Sequence, residues 1–153
     1  MEGENLIKIK STTIEIQTKK EMDFIDITQK VEDFVNQTKI KNGFVNIQSL
    51  HTSAALILNE NEPLLIEDFK KNLEATAPKN FSYQHDDMTK RTVNVCPQEC
   101  INGHSHCKAI HLPASITLNL INGELQLGQW QRIFFVELDR SRKRKIQIQI
   151  IGV

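Results

Sequence analysis

The dipeptide Asn122-Gly123 constrains the fold of this chain more than any other feature of its sequence. It separates two segments in which apolar and polar residues alternate, Ser115 to Ile121 and Glu124 to Leu127. Such alternation is typical of strands with one buried face, and Asn-Gly favours the two-residue turn that joins antiparallel neighbours. The sequence therefore predicts a β-hairpin here, within a sheet that is at least partly antiparallel.

Other segments also have the residue pattern of strands. Leu6 to Gln17 alternates loosely and predicts one or two strands, whereas Phe44 to Leu50 and the apolar run Ser53 to Leu58 predict one strand each. Near the C-terminus, Ile133 to Leu138 and Lys145 to Ile151 flank a charged segment. We expect these last two to pair with each other as a second antiparallel hairpin.

Three segments have the spacing and the end signals of helices. They are predicted to run from Asp26 or Thr28 toward Lys41, from Pro63 to just before Pro78, and from Asn102 to Ile110. Gly43 is the expected stop of the first helix, because glycine readily takes the left-handed conformation that ends many helices. Between the second and third helices lies a long polar loop, which in a compact domain is more often functional than idle.

Length and composition limit the class of protein. The chain has 153 residues, with 19 basic and 19 acidic side chains; this suits one domain with a real core and gives no overall attraction to nucleic acid or anionic membrane. No stretch approaches the ~18 consecutive apolar residues of a spanning helix, and the opening MEGENLIKIK lacks the apolar core of a signal peptide. We therefore expect one cytoplasmic domain over residues 1–153. Its three cysteines, Cys96, Cys100 and Cys107, are expected to be reduced.

The predicted elements together indicate an α+β fold. Strands dominate, and two or three helices accompany them, so we expect a mostly antiparallel β-sandwich core.

Histidines occur near the ends of predicted strands, in the polar loop and in the third helix. His51 stands between two strands, His85 lies in the loop, and His104 and His106 share the helix. Imidazole is the commonest metal ligand and the usual acid or base near neutral pH, and three of them would suit zinc with an open fourth position. For any single histidine, capping a turn or contact with solvent is the more common role. Residues two apart on a helix diverge by about 200°, so His104 and His106 cannot both face one site.

Polar residues around the second predicted helix offer another kind of chemistry. Asn59 and Glu60 follow a buried strand, where they could serve as acid–base groups or as magnesium ligands. The helix dipole also favours acidic residues at a helix start, so a purely structural role is equally open for them.

Basic and aromatic residues near the C-terminus could bind a substrate. The segment Asp139 to Arg144 is strongly basic, and the planar guanidinium of arginine suits phosphate, although charge runs are usually solvated turns. Trp130 is the single tryptophan and could line a pocket for an aromatic substrate or lie in the core. A zinc site formed by the cysteines with His104 is a further alternative, but the spacing lacks the paired short knuckles of known zinc modules.

Taken together, these segments resemble the YjbQ-like family over nearly the whole chain. The resemblance is carried by His51 to Ala55 with Leu58 to Asn61, by Tyr83 to Asp86, by Asn102 to Ala109, and most specifically by Ser115 to Ile133, SITLNLINGELQLGQWQRI. The sequence departs from the family pattern at Gln129, at Pro113-Ala114 and at Arg140-Ser141. The one regular histidine of the family's helix matches His106 and not His104.

The resemblance implies a β-sandwich core, commonly assembled as a homotrimer, and a pocket that holds His51, His85 and His106. Some members are described as having a weak, secondary thiamine-phosphate synthase activity, which joins a pyrimidine diphosphate to a thiazole phosphate and releases pyrophosphate. With such substrates, Arg142 and Arg144 are expected to bind phosphate, and Trp130 is expected to lie against a ring.

We therefore expect a small-molecule enzyme that acts on phosphorylated substrates. The catalytic candidates are His51, Asn59, Glu60, His85 and His106. The three histidines are also expected to hold one divalent metal, zinc or magnesium, with Glu60 or Asp86 accepting an imidazole N–H. Two other functions stay open: a metal-dependent hydrolase that uses the same histidines, and a non-enzymatic oligomeric protein that binds a phosphorylated metabolite.

Overall fold

The structure, a computed structural model, describes residues 6–153, so the first five residues of the predicted domain lie outside the described part. The strands of this part are β1 (Lys8–Gln17), β2 (Asp23–Asp26), β3 (Gly43–Ser49), β4 (Ala54–Glu60), β5 (Ser115–Ile121), β6 (Glu124–Leu125), β7 (Gln131–Glu137) and β8 (Lys143–Gly152). The helices are α1 (Thr28–Thr38), α2 (Pro63–Thr76) and α3 (Gly103–Ala109), and a short 3₁₀ turn covers Gln84–Asp86. Within residues 6–153, no helix is long and apolar enough to cross a membrane.

The strands form two sheets that pack face to face. One sheet has the order β1-β8-β3-β5-β6 and the other the order β2-β7-β4, and every neighbouring pair is antiparallel. The larger core lies between the sheets and includes Ile47, Leu56, Phe135 and Ile148. A smaller core packs α2 and α3 against the other face of the three-stranded sheet. The structure thus confirms the predicted α+β class with an antiparallel β-sandwich core.

The hairpin predicted at Asn122-Gly123 is present. Strands β5 and β6 pair across it, and both turn residues have positive φ, 54° at Asn122 and 83° at Gly123. This is the conformation that a tight turn between twisted strands requires. The return strand β6 is short and ends at Leu125.

The second predicted hairpin is wrong, because β7 and β8 belong to different sheets. β7 pairs with β2 and β4, whereas β8 pairs with β1 and β3. Their burial explains the difference: β7 is buried on both faces from Ile133 to Glu137, since one face meets the sandwich core and the other meets the helices. β8 alternates between buried and exposed residues. The basic segment between them therefore carries the chain from one sheet to the other.

The first helix ends earlier than predicted. It stops at Thr38, and Lys39 rather than Gly43 takes the left-handed conformation, with φ of 58°. Ile40 then turns into the core, and Gly43 already begins β3. The prediction also missed β2, whose four residues are too few to show a period.

Candidate functional site

A cavity of about 610 Å³ lies where the two sheets meet the polar loop and α3. Its walls come from the connection between β3 and β4, from the loop after α2, from α3 and from the start of β8. The three predicted histidines His51, His85 and His106 all line it, and so do Arg142 and Arg144.

Close packing between the polar loop and the start of α3 positions His85. The Asp86 Oδ1 atom accepts hydrogen bonds from the backbone N–H groups of Asn102, at 3.1 Å, and of Gly103, at 2.9 Å. A Cβ atom on Gly103 would lie 2.6 Å from the Tyr83 Cβ atom, so only glycine allows this approach. The loop that carries His85 is therefore held directly against the helix that carries His106.

His85 and His106 consequently form a pair of imidazoles. Their ring centroids are 4.7 Å apart and their planes meet at 67°, which is an edge-to-face arrangement. The Nε2 atom of His85 is buried and has no hydrogen-bond partner among residues 6–153. This nitrogen is therefore available to a ligand or a bound water.

His51 is fixed by the backbone of β8. Its Nε2 atom accepts a hydrogen bond of 2.7 Å from the backbone N–H of Lys145. In a neutral imidazole the other nitrogen, Nδ1, then carries the hydrogen. His51 can therefore offer a ligand an N–H donor, but not a free lone pair.

Burial keeps two of these histidines neutral. It is the main cause that lowers the pKa of His51 below its ordinary value of 6.5, and the positive charge of Arg144 lowers it further. Burial also lowers the pKa of His106, as does the neighbouring His85, while a hydrogen bond with the backbone of Thr52 acts the other way. Both imidazoles are thus uncharged at neutral pH.

The cavity is basic although the whole chain is neutral. Among the described residues, four basic side chains line it, Arg91, Arg142, Lys143 and Arg144, against the single carboxylate of Glu99. Positive charge that is concentrated within a cleft attracts negatively charged ligands. The site therefore suits a small anion.

Hydrogen bonds orient two of these arginines. Arg91 donates to Glu99 at 2.8 Å and to the backbone carbonyl of Asn94 at 2.7 Å, which organises the loop around it. Arg142 is 40% exposed and donates to the buried Asp139 at 3.1 Å. Both guanidinium groups keep further N–H groups for a ligand.

Arg144 has a different position from the one expected of an anion ligand. It is buried, and its Nε and Nη2 atoms donate to the carboxylate of Glu137, with Nη2 also reaching the Ser53 hydroxyl. Glu137 is completely buried as well, and it also accepts from the hydroxyl of Thr18. After its contacts within residues 6–153, only Nη1 of Arg144 is left to meet a ligand, so its main role is to join the two sheets beneath the cavity.

Asn59, Glu60 and Trp130 lie elsewhere in the structure. Asn59 and Glu60 are at the C-terminal end of β4, whereas the cavity is at the opposite end of that strand. Trp130 precedes β7 and is 64% exposed. The strand β7, from Gln131 to Glu137, carries the chain away from Trp130 over about 20 Å. Within one chain, the residues predicted as a single site are therefore split between the two ends of the three-stranded sheet.

His104 projects away from the cavity on the other side of α3. Its Nε2 atom lies 2.9 Å from a carboxylate oxygen of Glu21. The same side of the helix carries Lys108, which is fully buried and paired with Glu74 at 2.8 Å. α3 thus presents His106 to the cavity, and His104 and Lys108, each beside a carboxylate, to the opposite side.

The present arrangement of the three histidines gives the predicted metal site no direct support. Among residues 6–153, no group of three or more His, Cys, Asp or Glu side chains is placed to hold a metal ion. Because the His51 Nε2 lone pair is engaged by Lys145, that side chain would have to turn before it could ligate. Asp86, expected to accept an imidazole N–H, binds backbone N–H groups instead. The metal site stays a prediction from the sequence.

Among the cavity residues that were not predicted as part of the site are Arg91 and Asn102. Arg91 lies in a polar loop without any local pattern, so nothing marked it except its charge. Asn102 precedes a helix, where asparagine is common for structural reasons. The hydrogen bonds that make Asn102 more than a helix-start residue can be identified only in the folded chain.

Comparison with known proteins places these features in a family. The sequence model of a family described as "UPF0047 protein YjbQ-like" matches residues 12–153. A UPF0047 protein of Methanothermobacter thermautotrophicus is 34% identical over 146 residues, which cover 95% of this chain and 94% of that protein. The UPF0047 protein YugU of Bacillus subtilis is 32% identical over 140 residues, covering 92% and 98% of the two chains.

Solved structures have the same fold. The crystal structure of a protein of unknown function from Sulfolobus solfataricus superposes with a TM-score of 0.86 at 32% identity, and covers 97% of this chain and 100% of that one. A hypothetical protein from Aeropyrum pernix gives a TM-score of 0.83 at 27% identity, with 94% and 99% coverage.

Proposed function

The chain belongs to the UPF0047 family of YjbQ-like proteins, and on that premise we propose that its cavity binds a small phosphorylated molecule and catalyses a reaction at it. The observation that carries this proposal is the grouping of four basic side chains with three histidines in a cavity of about 610 Å³. Guanidinium groups match the oxygen atoms of phosphate geometrically, and neutral imidazoles can donate, accept or transfer a proton.

We propose that the reaction is of the thiamine-phosphate synthase type, as a main or a side activity. In that reaction a ring nitrogen of the thiazole attacks the methylene carbon of the pyrimidine, the C–O bond breaks, and pyrophosphate leaves with the electron pair. No proton has to be removed from the attacking nitrogen, so the main demand is to stabilise negative charge on the leaving group. The basic lining and the His51 N–H donor support this choice.

The test is pyrophosphate release from a panel of phosphorylated substrates that includes the pyrimidine diphosphate and thiazole phosphate pair. We expect release with wild-type protein, a loss of at least about 100-fold in His106→Ala, which removes an imidazole hydrogen-bond donor to the leaving pyrophosphate, and little change in His104→Ala. Wild-type protein that releases nothing but still binds pyrophosphate would support the non-enzymatic alternative. Failure to bind any phosphorylated compound would contradict the proposal as a whole.

We also propose that the chain forms a homotrimer, as the family resemblance implies. A row of exposed apolar side chains supports association: Ile9 faces Ile151 across β1 and β8, and Ile151 faces Phe44 across β8 and β3. Exposed apolar groups that adjoin one another are typical of interaction surfaces. Light scattering should give three times the chain mass, and Ile151→Lys should reduce it, whereas a monomer mass for wild type at micromolar concentration would refute the trimer.

A further inference from the structure

The side chain of Asn102 has an unusual environment for a residue that lines a polar cavity. It stands immediately before α3, is buried, and has its backbone N–H bound to Asp86. Of its two side-chain polar atoms, only Nδ2 has a partner among residues 6–153.

The neighbouring carboxylate fixes the orientation of this amide. The Nδ2 atom of Asn102 donates to the Asp139 Oδ2 atom at 3.3 Å, and the same carboxylate is paired with Arg140 and Arg142. An ionised carboxylate accepts hydrogen bonds and cannot donate one, so the amide must point its NH₂ group toward Asp139. The carbonyl oxygen, Oδ1, is thereby turned the other way.

The Asn102 Oδ1 atom is thus a buried acceptor with no hydrogen-bond partner in residues 6–153. A buried polar atom without a partner is costly, and native proteins nearly always satisfy it. In a ligand cavity the group that satisfies it is a bound water or a polar group of the ligand. His85 Nε2, in the same cavity, is a second buried atom of this kind.

From this arrangement we infer that the ligand carries, beside its phosphate, a hydroxyl or amine group that donates a hydrogen bond to Asn102 Oδ1. The substrate class is then a small phosphate ester with a second polar group, and not a simple alkyl phosphate. The inference rests on the proposed function, because it assumes that the phosphate occupies the basic lining formed by Arg142 and Lys143. Asn102 is the residue that determines this specificity.

A site that is built around a hydrogen bond discriminates strongly against a ligand that lacks the donor, because the buried acceptor then stays unpaired. The probes are ethyl phosphate and 2-hydroxyethyl phosphate, which differ by one hydroxyl group, with 2-aminoethyl phosphate to distinguish an amine from a hydroxyl. Calorimetric titration of wild-type protein should show at least about 10-fold tighter binding for one of the two donor-bearing ligands than for ethyl phosphate.

The same ratio of affinities is then measured in Asn102→Ala. The ratio should fall to about one, because both ligands lose the same acceptor. Asn119→Ala, which removes an exposed amide on β5 outside the cavity, should keep the wild-type ratio. Since each ratio is taken within one variant, a general loss of affinity does not affect the comparison. If Asn102→Ala does not fold, the wild-type ratio alone still tests the inference.

Two results would overturn the inference and leave the proposed function intact. One is equal binding of all three ligands by wild-type protein, and the other is a ratio that persists in Asn102→Ala. A different result would contradict the proposed function itself: wild-type protein that binds none of these ligands and also neither inorganic phosphate nor pyrophosphate.

Discussion

Glu137 and Arg144 form a buried ion pair that joins the two sheets. Glu137 ends β7 in the three-stranded sheet, and Arg144 lies at the start of β8 in the five-stranded sheet. The Arg144 Nε atom donates to a Glu137 carboxylate oxygen at 2.6 Å, and the Thr18 hydroxyl and the Asp139 N–H also donate to that carboxylate. Because both charges are buried, neither has water as an alternative partner.

Removal of one member of this pair should destabilise the protein severely. Arg144→Met leaves the Glu137 charge buried, and breaking such a pair costs about 3–5 kcal/mol. For a chain of this size that corresponds to a fall of roughly 10 °C in melting temperature. The double variant Glu137→Leu with Arg144→Met should recover part of the loss in calorimetry. A double variant that is less stable than Arg144→Met would show that the pair is not the source of the effect.

Arg142 should contribute to anion binding and Arg140 should not. The two side chains are matched, because each is 40% exposed and donates to the Asp139 Oδ2 atom, at 3.1 and 3.0 Å, but only Arg142 lines the cavity. Loss of one charge-assisted hydrogen bond lowers affinity about 10-fold. Pyrophosphate titrations should therefore show this loss for Arg142→Ala and near wild-type affinity for Arg140→Ala. Equal effects of the two substitutions would mean that Arg142 only neutralises Asp139.

A methyl group at position 103 should separate the two paired imidazoles. In Gly103→Ala the new Cβ atom would lie 2.6 Å from Tyr83 Cβ, which forces the loop that carries His85 away from α3. Overpacking of this kind costs about 1–3 kcal/mol of stability, and we expect pyrophosphate affinity to fall as well. Gly128→Ala is the control, because its Cβ atom would meet only the Gln131 side chain at 3.4 Å or more. Unchanged affinity in Gly103→Ala would contradict the role assigned to this contact.

Stability should decrease as the pH falls below about 6.5. The pKa of His51 and that of His106 are both lowered on folding, mainly by burial, so the unfolded chain takes up protons at a higher pH than the native one. The stability that these neutral histidines provide is complete above the unfolded pKa and is lost as protons bind below it. Urea unfolding at pH 7.5 and pH 5.5 should show a smaller loss in His106→Gln than in wild type. The exposed His111→Gln should behave as wild type; a loss in His106→Gln as large as the wild-type loss would disprove this account.

Chelation distinguishes an anion site from the metal site predicted from the sequence. Because His51 Nε2 is engaged by Lys145, we expect pyrophosphate affinity to survive treatment with a chelator. Elemental analysis and titration of the chelated protein measure this directly. Three results together would establish the metal site instead. Pyrophosphate affinity would disappear on chelation and return with zinc, and it would be lost in His106→Ala but not in His104→Ala.

The sequence predicted the local elements well and their partners poorly. The hairpin at Asn122-Gly123 and the short third helix depend on neighbouring residues, so a short window contains the whole signal. The pairing of β7 with β4 is not determined by neighbouring residues, because it depends on which faces of each strand are buried. A signal was present: Ile133 to Leu138 is almost continuously apolar, whereas β8 alternates, and strands with such different patterns rarely share one half-exposed sheet.

The histidines of the site could be predicted because the residue type itself carries the chemistry. Arg91 could not, since only the folded loop brings it into the cavity that His85 also lines. The role of Arg144 was predicted wrongly because its partner Glu137 lies in the other sheet. The orientation of Asn102 depends on Asp139, which is far away in sequence. Contacts between residues that are far apart in the sequence cannot be predicted from local residue patterns.

The crossing of the chain between the two sheets has a kinetic consequence. His51 follows a strand of one sheet, Ser53 precedes a strand of the other, and Arg142 lies on the segment that connects them. A folding intermediate with only one sheet formed would hold only a fragment of the binding surface. An anion whose contacts form only once both sheets are assembled, after the transition state, would leave the refolding rate unchanged and slow the unfolding rate. The unfolding rate of the chain would then decrease as the concentration of its ligand rises.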